Sequence, residues 1–113
     1  MISKMLGALS IVVSLSFCYS SHAAELVGSG KITYVENGWN GEGLVIHHTR
    51  NGPAGCSAPL NDFGIDKNNA AYKELVAMAL AAYTSNSDVE IIVDTGVCIF
   101  GARTKVISIR LMK

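Results

Sequence analysis

Charge is scarce in this chain. Asp, Glu, Lys and Arg make up 16% of its 113 residues, and nine bases offset nine acids. No cluster of Lys and Arg occurs, so nucleic acid is not an expected partner, because phosphate recognition is mainly electrostatic. Cysteine is limited to three residues without a CxxC spacing, which argues against a metal pair or a reactive dithiol. There is no GxSxG, HExxH or P-loop. Glu36, Glu42, Asp62, Asp66, Glu90 and Asp94 are scattered, with no spacing that suggests general acid–base work. Beyond His22 the only histidines are His47 and His48. Neighbours on a strand point to opposite faces, so these two cannot hold one metal or share one catalytic task. No catalytic residue, metal or cofactor is expected, and the chain reads as a non-enzyme. Repeats and low-complexity tracts are also missing, which leaves a single small domain.

One long apolar run is present, and it lies at the start. Lys4, the apolar stretch 5–17 and Ser21-His22-Ala23 make residues 1–23 read as a secretory signal peptide. The expected mature chain is 24–113, exported to the periplasm or beyond. No later run is long enough to cross a bilayer. Cys18 leaves with the leader; lipidation there would want a small residue before it, and Phe17 stands in that place. Cys56 and Cys98 then remain as a pair in an oxidising compartment, which predicts a disulfide. The loop it closes implies about 4 kcal/mol of stabilisation.

The hydrophobic period changes along the chain and marks its elements. Residues 31–36 (KITYVE) and 44–49 (LVIHHT) predict a hairpin around the loop NGWNGEG. Residues 51–66 read as irregular, with short pieces around 56–60 and with Phe63 and Ile65 as core plugs. Residues 68–83 predict a helix capped by Asp66 or Asn68 and ended by Ser85-Asn86. Its apolar stripe is Tyr72, Leu75, Val76, Ala79, Leu80 and Tyr83. The opposite face carries Ala70, Lys73, Glu74, Ala77, Met78 and Ala81. Small residues there fit either a good helix former on the surface or an oligomer face at Ala77, Met78 and Ala81. Residues 89–93 predict a strand ended by a turn at Asp94-Thr95-Gly96, and Cys98 to Phe100 follows. In 105–112, alternation puts Ile107, Ile109 and Leu111 on one face. The order β-β-(β)-α-β-β predicts a mainly β domain with one helix, a five-stranded OB-fold-like Greek-key barrel. The alternative is an open α+β fold, with the helix on a four-stranded antiparallel sheet.

The segment most suggestive of function is Asn37-Gly38-Trp39-Asn40-Gly41-Glu42, which holds the only Trp. An indole beside amides and a carboxylate suits a sugar, stacking on its apolar face while the polar groups take its hydroxyls. In the competing reading Trp39 folds back over the end of the barrel. Trp39, Asn40, Glu42 and Asn37 are the candidate ligand residues, with His48, Arg50 and Asp62 as extensions of that surface.

Over residues 56–111, the helix YKELVAMALAAYTSN, the strand VEIIVD and the closing strand KVISIRLM are similar to OB-fold binding subunits of secreted bacterial AB-type toxins. The pertussis-like and subtilase-cytotoxin kinds are meant. The same segments resemble a group of short uncharacterised exported proteins of Gram-negative bacteria. The toxin resemblance implies glycan binding, a homopentamer and a catalytic partner chain. The expected function is therefore a secreted or periplasmic binding module for a glycan. The alternative is a structural or interaction protein of the cell envelope, with an envelope protein as partner and no small ligand.

Overall fold

The computed structural model describes residues 23–113. The leader assigned to 1–23 lies outside the described residues except for Ala23. The described chain forms β1 (Ala23–Gly30), β2 (Ile32–Asn37), β3 (Gly43–His48), β4 (Asp62–Asp66), α1 (Tyr72–Ser85), β5 (Val89–Ile99) and β6 (Arg103–Leu111). They build one six-stranded sheet in the order β1-β5-β6-β4-β3-β2. All neighbours are antiparallel except β4 and β6, which run parallel. The described residues are mainly β with one helix, as expected, but the strands number six rather than five and their hydrogen-bonded order stays open; its outer strands β1 and β2 follow one another through Lys31, which is bonded to Thr49.

The sixth strand is β1, which the hydrophobic pattern does not announce. Its sequence AAELVGSG buries only Val27, and it exists because β5 offers it a ladder. The segment 56–60 is not a strand; β4 follows it, carrying Phe63 and Ile65 into the core at 0% exposure. No turn occurs at 94–96. β5 continues through it with a register shift between Asp94 and Cys98, and the reversal comes at Phe100-Gly101. The alternation expected in β6 is also altered. Ile92 pairs with Ser108 but Val93 pairs with Val106, so one extra residue, Ile107, bulges out. Val106 and Ile109 are therefore the buried pair, while Leu111 is 41% exposed.

The helix covers one face of the sheet, over Ile46, Phe63, Ile65, Ile91, Val93 and Val106. Leu75, Ala79 and Ala82 are its buried line, and Leu80 and Tyr83 stand exposed. Against the expected stripe the helix is rolled by roughly 60°, at 3.6 residues per turn. Bulky β-branched and aromatic residues fill the sheet side, so alanines form the line of closest approach, and larger side chains flank it. Ala77 and Ala81 are exposed; Met78 is half-buried against the core and leaves the proposed bare face. No side chain caps the helix start at Ala71. Asp66 and Asn69 instead bond the backbone N–H groups of Asn68 and Ala71, each at 2.9 Å. Asn86, at φ 52°, ends the helix as expected.

Cys56 and Cys98 form the disulfide, with Cα atoms 5.6 Å apart. It ties the 49–61 connection to the far half of β5. Among the described residues no helix is long and apolar enough to cross a membrane.

Candidate functional site

The strand pairing fixes what the sheet turns away from the helix. Tyr34, His47 and Asp62 lie side by side on β2, β3 and β4. One step along, Glu36, Val45, Gly64 and Lys105 make the next row across β2, β3, β4 and β6. The loop of the β2–β3 hairpin and the tip of the β5–β6 hairpin meet over this face.

The first loop is held by its own bonds. Gly38 N–H donates to Gly43 O at 2.8 Å and Gly41 N–H to Gly38 O at 3.1 Å. Asn40 N–H donates to Glu42 Oε1 at 3.2 Å. Trp39 is 92% exposed. This corrects the reading in which Trp39 folds over a barrel end. The sheet is open, so there is no barrel end, and another ring occupies the neighbouring floor.

That ring is Phe100. It occupies the first central position of a β-turn in which Ala102 N–H donates to Ile99 O at 3.1 Å. Phe100 has φ 52° and Gly101 φ 76°, the pattern of a type I′ turn, where Asn, Asp or Gly is usual at the first position. A bulky residue in this conformation costs about 1–2 kcal/mol. It is seated over glycine. A Cβ on Gly64 would come within 2.7 Å of Ile99 Cδ1 and 3.0 Å of Phe100 Cε2, and one on Gly43 within 2.9 Å of Phe100 Cζ. Both rings border a cleft of about 300 Å³, whose polar lining is Glu36, Asn40, Glu42 and Arg103. A second cleft, of about 350 Å³, lies against the same Phe100, Asn40 and Glu42 and extends to Asp66, Lys67 and Asn68.

Arg103 links the first cleft to a polar network. Its Nε lies 3.6 Å from Asp62 Oδ2, an ion pair just beyond hydrogen-bond reach. Asp62 is buried, and its Oδ1 accepts from Tyr34 O–H at 3.3 Å and from His47 Nδ1–H at 2.7 Å. Asn61 Nδ2 donates to His47 Nε2 at 2.8 Å and to His48 O at 3.2 Å. With Asp62 Oδ1 on Nδ1 and the Asn61 amide on Nε2, both ring nitrogens of His47 are engaged within the network. Its ring stacks on Tyr34, centroids 4.6 Å apart. Partial burial of Tyr34, then the charge of Asp62 and its hydrogen bond, raise the phenol above its ordinary value.

The structure brings Trp39, Asn40 and Glu42 together and adds Glu36, Phe100 and Arg103. Asp62 adjoins them through Arg103. His48 does not join them. It is fully buried, with Nε2–H donating to Val89 O at 3.0 Å and Nδ1 accepting from Arg50 N–H at 3.0 Å. Both ring nitrogens serve the fold, because His48 points to the helix side of the sheet. Arg50 lies past the other end of β3, roughly 20 Å from the Trp39 loop at about 3.3 Å per residue. There it bonds Ser29 O at 3.0 Å and clasps β1 to β3. Asn37 is exposed on β2 and lines neither cleft. The Tyr34–His47–Asp62–Asn61 cluster was not visible in sequence, since its members come from three strands and a connection. Phe100-Gly101-Ala102 carried a legible signal, three residues containing Gly between two strand-like runs. Among the described residues no group of three His, Cys, Asp or Glu is placed to hold a metal. No family model, curated protein or solved structure matches this chain.

Proposed function

We propose that this protein is an exported, non-enzymatic binding module that takes a glycan against Trp39. The observation that carries the reading is an indole 92% exposed at the rim of a cleft with a second aromatic ring and four polar side chains. A large apolar ring left in water on a self-bonded loop favours a ligand that will cover it. Sugars offer both an apolar ring face and a rim of hydroxyls, and Glu36, Asn40, Glu42 and Arg103 supply acceptors and donors for that rim. His47 Nε2 is occupied by Asn61, so the His47–Asp62 pair presents no free base to a substrate, which favours binding over catalysis. The Cys56–Cys98 disulfide is compatible with export. An oligomer of the toxin-subunit kind would raise avidity by repeating weak sites, and the exposed Ala77 and Ala81 are where it would be sought.

The test is a glycan array with the full chain and with Trp39→Ala. A hit that the variant loses, with its circular dichroism unchanged, supports the reading. An empty array and a variant indistinguishable from the parent would move the assignment to an envelope interaction protein. Light scattering under non-reducing conditions separates a ring of subunits from a monomer.

A further inference from the structure

The two clefts are parts of one surface. They share Asn40, Glu42 and Phe100 and diverge on either side of that ring. The first opens toward β2, past Trp39 and Glu36, with Arg103 on the β6 arm of the hairpin. The second opens toward the connection between β4 and α1, past Asp66, Lys67 and Asn68, with Ile99 on the β5 arm.

Their relative position is set by backbone bonds. Lys67 N–H donates to Glu42 O at 3.0 Å, which joins the β4–α1 connection to the Trp39 loop. Asp66 Oδ1 accepts from Asn68 N–H at 2.9 Å, which shapes the far wall. Phe100 is held between them in a left-handed conformation over two glycines that leave no room for a Cβ. A turn alone would be served better by Asn or Gly at this position. The side chain is there for what its ring touches, and the ring borders both clefts.

We infer that the site takes a neutral linear oligosaccharide of at least two sugar residues, laid across Phe100 with one residue in each cleft. This rests on the glycan reading above and narrows it. The lining favours an uncharged chain. Glu36, Glu42 and Asp66 face it, and of its two cations Arg103 already faces the buried Asp62. An acidic sugar would meet three carboxylates against one uncommitted ammonium, that of Lys67. The exposed Lys67 ammonium and Asn68 carboxamide have no side-chain partner among the described residues and are available to hydroxyls in the second cleft.

The experiment is calorimetric titration of the full chain with glucose, galactose and N-acetylglucosamine, with their linear di- and trisaccharides, and with oligogalacturonate. Parent, Trp39→Ala and Asn68→Ala are compared. The expected result is at least a tenfold gain from mono- to disaccharide for one neutral series, and weaker binding of oligogalacturonate. Asn68→Ala should lower disaccharide affinity severalfold and shrink the gain from mono- to disaccharide; Trp39→Ala should weaken both sugars. A monosaccharide bound as tightly as its oligomers, with Asn68→Ala silent, overturns the two-cleft assignment and leaves the glycan reading standing. Preference for oligogalacturonate overturns the neutral class. No saccharide bound by the parent overturns this inference and the glycan reading together.

Discussion

The face of the sheet under α1 and the face turned away from it share the same strands but are built from different materials. Beneath the helix, Ile46, Phe63, Ile65, Ile91, Val93 and Val106 are all at 0% exposure. Their only polar companion in β3 is His48, whose ring nitrogens are both bonded to backbone. On the other face, alternate residues of β2, β3 and β4 include Tyr34, Glu36, His47, Asp62 and Gly64, with Val45 the buried aliphatic side chain among them. There the covering element is a hairpin tip with a strained Phe100, and Trp39 stands in water beside it. One face maximises buried apolar surface. The other accepts strain, a buried carboxylate and an exposed indole, the features on which the proposed binding site rests. The pair His47 and His48 shows the division at its smallest scale. They are identical side chains one residue apart, one tied into the core and one into the polar network.

The sharpest test of that division lies in the core. Phe63→Ala should lose about 3–5 kcal/mol, the usual cost of emptying a buried aromatic site, read from chemical denaturation. A loss below about 1 kcal/mol would mean the inner face is not the seat of stability. Reduction of Cys56–Cys98 should come next, at about 4 kcal/mol on the chain-entropy account and often less in practice. An unchanged melting temperature under reductant would show that the tie between the 49–61 connection and β5 is redundant. Gly64→Ala probes the outer face itself. Overpacking against Ile99 and Phe100 should cost about 1–3 kcal/mol and weaken ligand binding with it, whereas Trp39→Ala should stay within about 0.5 kcal/mol of the parent in stability. If Gly64→Ala leaves both stability and binding alone, Phe100 is not held as described.

The smallest effect concerns pH. The Tyr34 phenol is raised above its ordinary value of 10.0, so above that pH the folded protein holds a proton that the unfolded chain releases. Its contribution is fully present below about pH 10 and is lost as pH rises through the folded value. Tyr34→Phe should therefore flatten the alkaline fall in stability. The change should be slight because Tyr34 is 41% exposed. A parent and variant with the same slope would detach Tyr34 from Asp62.

Sequence patterning located the β2–β3 hairpin, the helix, the Trp39 loop, Phe63 and Ile65, and the cysteine pair, because each has its own signal: period, turn residues or residue type. It missed β1, whose eight residues bury one apolar side chain. It misplaced the turn after β5, because Asp-Thr-Gly is equally at home in an irregular stretch of strand. It rolled the helix toward Leu80 and Tyr83, because alanine is ambiguous to any hydrophobic pattern. At the site, Trp39, Asn40 and Glu42 are neighbours in sequence and could be grouped at once. Phe100 and Arg103 are some sixty residues away and could not.

What the sequence determined by itself is what short-range chemistry decides: a cysteine pair, one helix among strands, and a Trp on a glycine-rich loop. The tertiary structure decided that the sheet stays open with β1 on its edge. It also decided that Ile107 bulges, that His48 is core while His47 is network, and that two hairpins from opposite ends of the chain enclose the clefts. Those outcomes depend on strand register. A shift of one residue turns every side chain to the other face, and register is settled by partners that are distant in sequence.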